Sequence, residues 1–213
     1  MKAARDNGRR ESILRTAAAL FRQQGFERTS VREIAEASAM TSGSLFYHFA
    51  SKEDLLVAIM DEGVRDIMQS VRDGLARETR LPDRLAAMVR CHLESLLGPK
   101  FDAMNVLLYE WRSLSPPARA RVLMARDDYE RLWMQPLGEA AAVGLVDADT
   151  QLVRQTVLGA LNWSAQWYRP QGRLGVHELA RRMFALLFPL VADHASSLSN
   201  SELMEMKGKY WWP

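Results

Sequence analysis

Cysteine is nearly missing from this chain: Cys91 stands alone among 213 residues. A lone thiol makes no intrachain disulfide, and nothing in the sequence requires an oxidising compartment. Long apolar runs are also missing. The longest, Met183 to Ala192, is interrupted by Pro189 and is too short to cross a bilayer. The first residues carry charge with no apolar stretch behind them, so no signal peptide is expected. A cytoplasmic protein without membrane contact is therefore expected. There is no strand-like alternation, no internal repeat and no phosphate-binding loop. His48, His92, His177 and His194 lack metal-ligand spacing, and neither Cys91 nor any serine sits in a nucleophile motif. The expectation is a protein with no metal, no cofactor and no catalytic residue.

What remains is helical. Hydrophobic residues make up 48% of the chain, enough for a sizeable core. The net charge of +2 excludes little, but its distribution is uneven. Residues 1–52 hold nine Lys and Arg against five Asp and Glu, a net +4, which leaves −2 for the rest. A basic end on a slightly acidic body suits one module that faces nucleic acid. From Arg9 to Gln24, Ile13, Leu14, Ala17, Leu20 and Phe21 recur at helical spacing, and Gly25 ends the pattern. Further helices are expected over 82–97, 101–113, 117–143, 148–168 and 176–194, separated by proline and glycine breaks.

The segment Thr29 to Leu56 reads as two short helices with a tight bend, then the start of a long third. Ser30 and Glu33 form a capping-box pattern, Thr41 or Ser42 caps the next helix, and Ser51 caps the one after. A helix-turn-helix sends one short helix into the DNA major groove while the other braces it. The early exposed positions of that reading helix are Thr41, Ser42, Gly43, Ser44 and Tyr47. Hydroxyls there suit base edges or phosphates, and Gly43 lets the backbone approach closely. Arg32 has the guanidinium fork suited to guanine, with a solvated surface charge as the plainer alternative. Leu45, Phe46 and Phe49 read as core, with Phe46 also placed to touch DNA. Lys2, Arg5, Arg9 and Arg10 read as a basic arm for the DNA backbone or minor groove.

The residues Ile13, Ala17, Leu20, Phe21, Gly25-Phe26, Thr29-Ser30, Ile34-Ala35, Gly43 to Phe49 and Ser51-Lys52-Glu53-Leu55-Leu56 together resemble the N-terminal domain of TetR-type transcriptional regulators. The resemblance covers about a quarter of the chain. It implies a homodimer, a ligand-binding C-terminal part, repression of a double-stranded operator relieved by a small molecule, and phosphate contacts from Tyr47, His48 and Lys52. One departure stands in the bend, where Ala39 occupies the place of a glycine that tolerates positive φ, at a cost of about 1 kcal/mol.

The expected architecture is all-α, with a helix-turn-helix domain over 1–52, a ligand-binding and dimerisation domain over 53–195, and a tail over 196–213 that ends in Tyr210, Trp211 and Trp212. Methionine and tryptophan enrich the body. Met104, Leu108, Trp111, Trp133, Asn162, Trp163 and Gln166 are expected around a small-ligand pocket, with ordinary core packing as the alternative. The stretch Asn162 to Pro170, followed by Gly172-Arg173-Leu174, resembles a TetR-type subgroup that regulates fatty-acid, steroid or other acyl-CoA catabolism. That resemblance implies that Trp163, Trp167, Arg169 and Arg173 meet an acyl-CoA-type effector, although Arg169 can equally finish a helix terminus. The last two body helices suit a four-helix dimer bundle. Two other readings stay open at this level, an acyl-CoA-binding enzyme and a ligand-free architectural DNA-binding protein.

Overall fold

A computed structural model of the chain describes residues 2–98 and 102–194, with the side chains of 8–98 and 102–192. All regular structure in that span is helical: α1 (Lys2–Gln24), α2 (Val31–Ala37), α3 (Ser42–His48), α4 (Lys52–Arg77), α5 (Leu81–Leu97), α6 (Asp102–Glu110), a 3-10 turn (Trp111–Ser113), α7 (Pro116–Ala142), α8 (Thr150–Trp167), α9 (Val176–Leu187) and α10 (Pro189–His194). The all-α expectation holds. The described residues divide into two compact units, the first of 2–65 and 102–126 and the second of 66–98 and 127–194. α4 and α7 contribute residues to both. The tail over 196–213 lies outside the described residues.

In the first unit, Ile13, Leu14, Ala17, Ala18 and Phe21 bury one face of α1. Gly25 ends that helix at φ +85°, where its N–H donates to the Phe21 carbonyl at 2.8 Å. A side chain there would be strained, so glycine fits the stop. At its other end α1 runs back to Lys2, further than the apolar spacing indicated. Arg9 and Arg10 therefore sit on a helix instead of an extended arm, and the side chains of Lys2 and Arg5 are outside those described. α6 packs along α1, and Arg22 Nε meets Asp102 Oδ1 at 2.5 Å between them.

In the second unit α5 packs against α9 and α8, and α10 folds onto α9 and α5. Leu85, Met88, Val89, Leu93, Leu96, Leu137, Leu161, Phe184, Phe188 and Val191 fill this core. Each such side chain contributes about 1.5–3 kcal/mol by leaving water. Gly74 on α4 makes room for the lone cysteine: a Cβ there would lie 2.9 Å from Cys91 Sγ. Among the described residues no helix is long and apolar enough to cross a membrane.

Candidate nucleic-acid interface and effector face

The reading head is assembled by local caps. Ser30 Oγ accepts the Glu33 N–H at 3.1 Å, and Glu33 Oε2 accepts the Ser30 N–H at 2.7 Å. This closes the expected capping box. The Ser30 backbone N–H and hydroxyl hold the Glu33 carboxyl below its ordinary pKa. α2 buries Ile34 and Ala35 and then bends at Ala39, whose φ is +52°. The alanine thus adopts the left-handed conformation expected of the glycine it replaces. Thr41 Oγ1 accepts the Ser44 N–H at 3.2 Å and opens α3, and Ser51 Oγ accepts the Asp54 N–H at 3.0 Å and opens α4.

With its ends fixed, α3 presents one face to the core and another to solvent. Leu45 and Phe49 are buried as expected. Phe46 is not core: it is 48% exposed, and Tyr47 beside it is 81% exposed. The reason is angular, because neighbouring helical residues point about 100° apart and Leu45 already occupies the inward direction. Thr41, Gly43 and Ser44 are exposed on the same side, and Ser42 and His48 are half-buried. The His48 ring meets the Tyr47 ring edge-on at 5.3 Å. Arg10 of α1 places its guanidinium 5.1 Å from the centre of the Phe49 ring.

Arg32 lies in solvent on α2, where its Nε donates to Glu36 Oε1 at 2.8 Å. Such an exposed pair is worth only about 0.3–0.5 kcal/mol, so the guanidinium is not locked to α2. Lys52 differs from the phosphate contact that the family resemblance implied. Its ammonium donates to the carbonyls of Phe26, Thr29 and Glu27 at 2.9, 3.1 and 3.5 Å. Three protons meet three acceptors, so a phosphate would have to displace one of them.

The expected effector residues separate into two groups. Met104 is buried, and Leu108 and Trp111 are half-buried, in the first unit. Arg112 and Arg119 place their guanidinium groups 5.4 and 5.5 Å from the Trp111 ring. In the second unit Trp133 is fully buried and Asn162 half-buried, but Trp163, Gln166, Trp167, Arg169 and Arg173 all lie on the surface. Trp163 is 66% exposed, in line along α8 with Leu152, Gly159 and Trp167. Leu186 of α9 and Leu190 of α10 are exposed as well. Arg169 donates to the Gln166 and Tyr168 carbonyls at 3.4 and 3.1 Å, which is its alternative role at the helix terminus.

A buried polar chain in the second unit was not legible from residue order. Tyr129 O–H donates to His92 Nδ1 at 2.7 Å, and His92 Nε2–H donates to Asn162 Oδ1 at 3.0 Å. Burial holds the His92 pKa down at about 4, so the imidazole is neutral at pH 7 with its proton on Nε2. Burial also pushes the Tyr129 hydroxyl upward. The Trp133 ring stands edge-on to His92 at 6.3 Å. These partners are 37 and 70 residues from His92. No local spacing announces them.

A capped α2–bend–α3 unit with a polar, exposed α3 face defines a helix-turn-helix DNA-binding protein. Comparison with known proteins agrees along most of the chain. The model of bacterial regulatory proteins of the tetR family matches residues 13–59, and that of the tetracyclin repressor-like C-terminal domain matches residues 78–191. The chain belongs to the TetR family of transcriptional regulators, which are DNA-binding proteins and not enzymes. It is 30% identical over 195 residues to the HTH-type transcriptional repressor KstR2 of Mycobacterium tuberculosis, covering 87% of this chain and 94% of that one. Among solved structures, AibR in complex with isovaleryl coenzyme A and operator DNA is 30% identical with a TM-score of 0.79, covering 85% of this chain and 98% of AibR. The superantigen PfiT is 44% identical with a TM-score of 0.72, covering 84% of this chain and 95% of PfiT.

Proposed function

We propose that this protein is a dimeric, cytoplasmic repressor that binds a palindromic operator and is released by an acyl-CoA-type effector. The carrying observation is the exposed face of α3, where Thr41, Gly43, Ser44, Phe46 and Tyr47 stand clear of the core with Ser42 and His48 half-buried at its margin, and α2 adds the exposed Arg32. Residues 1–52 read DNA in this account, and residues 53–195 bind effector and dimerise. Two reading helices engage half-sites about 34–36 Å apart, one turn of the duplex. The exposed stripe of Leu152, Trp163 and Trp167 with Leu186 and Leu190 supplies the apolar area for a partner copy, which in a permanent dimer is roughly 1,600 Å² or more. The thioester class is supported by AibR, whose structure holds isovaleryl coenzyme A and operator DNA. Within the second unit, Trp133 and Asn162 offer an apolar and a polar contact and Gln166, Arg169 and Arg173 offer polar and cationic groups for such an effector, with Trp163 and Trp167 available to it where the partner copy leaves them uncovered; Met104, Leu108 and Trp111 are candidate apolar contacts within the first unit. Only a ligand that binds the DNA-bound and DNA-free states unequally can release the operator.

The test is selection of duplexes from a random library by the purified protein, followed by binding of the enriched duplex with and without a panel of acyl-CoAs. A palindrome should emerge, and at least one thioester should weaken its binding. No change across the panel removes the thioester effector. The 44% identity to PfiT favours a second reading, a surface that engages a protein partner. Failure to enrich any duplex would favour that reading over operator binding.

A further inference from the structure

The first turn of α4 carries two adjacent side chains of opposite charge, and both reach far along the chain. Lys52 reaches back 23 to 26 residues to the carbonyls of Phe26, Glu27 and Thr29. The same ammonium stands 4.2 Å from the centre of the Phe26 ring, a favourable place for a cation. Phe26 is itself buried edge-on against Phe21, 5.3 Å between ring centres. The gripped carbonyls belong to the loop that leaves α1 and delivers Ser30, the cap of α2. Glu53 reaches the other way, 62 residues forward, and its Oε1 accepts the Ser115 N–H at 2.6 Å. Ser115 immediately precedes Pro116 and Pro117, which have no N–H of their own. Its N–H is thus the donor immediately ahead of two positions that have none, and a partly buried carboxylate takes it in a charge-assisted bond.

We propose that Lys52 and Glu53 are positioning residues for DNA reading: one fixes the loop that feeds α2, the other fixes the start of α7, and together they set the stance of the reading helices on α4. The inference rests on the DNA-binding reading above. It differs from a phosphate contact by Lys52 in what it predicts. A phosphate contact contributes to counterion release, so its loss lowers the salt slope by about 0.9 and an arginine can replace it. A carbonyl grip contributes nothing to that slope, and a planar guanidinium does not fit three converging carbonyls.

The test uses the full chain with Lys52→Met, Lys52→Arg, Glu53→Ala and Glu53→Gln. Binding to the selected duplex is measured over a range of salt, and amide hydrogen exchange is measured on DNA-free protein. Lys52→Met should weaken binding about tenfold or more at every salt concentration with an unchanged slope, and Lys52→Arg should not restore it. Both variants should speed exchange of the amides of residues 26–30. Glu53→Ala removes a negative charge from a DNA-facing unit, which by electrostatics alone would tighten binding. Positioning predicts the opposite, a several-fold loss, with Glu53→Gln retaining most affinity because its amide oxygen still accepts from Ser115. A reduced slope for Lys52→Met with rescue by arginine, or Glu53→Ala binding as tightly as the parent, overturns the proposal. If no duplex is enriched, the DNA-binding reading fails on its own, and exchange decides the grip: unchanged protection at residues 26–30 in Lys52→Met sinks it.

Discussion

His92 offers a stability measurement whose size and sign follow from its surroundings. Its imidazole is buried in the second unit with one nitrogen accepting from Tyr129 and the other donating to Asn162. Burial lowers its pKa from 6.5 in a free chain to about 4 in the fold. Below pH 6.5 the unfolded chain takes up a proton that the folded chain refuses. Stability is therefore whole above pH 6.5 and falls with pH until about pH 4, where the folded form also protonates. A shift of this size corresponds to about 3 kcal/mol over the full window, of which about 2 kcal/mol is lost by pH 5. In a chain of this length that is a fall in Tm of roughly 4–8 °C. Glu178, held at about 2 by hydrogen bonds from Arg181 and Arg182, loses its contribution only as pH falls below the ordinary value of 4.5, so measurements that stop at pH 5 stay clear of it. The assay is urea unfolding of the parent and of His92→Gln between pH 7.5 and pH 5. The variant should be less stable at neutral pH, and its further loss on acidification should be smaller than the parent's by about 2 kcal/mol. Equal pH dependence in the two proteins would refute the buried, neutral imidazole.

Four further outcomes are expected. Ala39→Gly should raise stability by about 0.5–1 kcal/mol, because relief of the φ +52° strain exceeds the added freedom of the unfolded glycine. A lower unfolding midpoint in urea would count against it. Gly74→Ala should destabilise by about 1–3 kcal/mol through its contact with Cys91 Sγ, and Cys91→Ala in the same chain should return part of that loss in a double-mutant cycle. Tyr47→Ala should leave thermal stability unchanged, since the ring is solvent-exposed, while weakening binding to the selected duplex. Trp163→Asp should convert a dimer into monomers by sedimentation. A dimer that persists would move the partner surface away from α8.

Much of the reading head can be inferred from residue order because its determinants are local. The Ser30–Glu33 box, the Thr41 and Ser51 caps, the stop at Gly25 and the strained turn at Ala39 all involve groups within four residues of each other. Side-chain spacing also separates Leu45 and Phe49 from solvent. It misplaces Phe46, because a seven-residue helix held at both ends has only one inward direction and its neighbour takes it.

The sequence by itself determined the class of fold, most helix boundaries to within a few residues and the exposed face of α3, since capping and helical periodicity act over a single turn; it missed the extension of α1 back to Lys2 and the division of 176–194 into α9 and α10. The tertiary structure decided which polar groups find partners. Lys52 was free to meet a phosphate until the α1–α2 loop brought three carbonyls to it, and His92 was an isolated histidine until α7 and α8 delivered Tyr129 and Asn162. Hydrogen-bond partners that lie tens of residues apart are chosen by how helices pack, and packing is a property of the whole core that no short window contains.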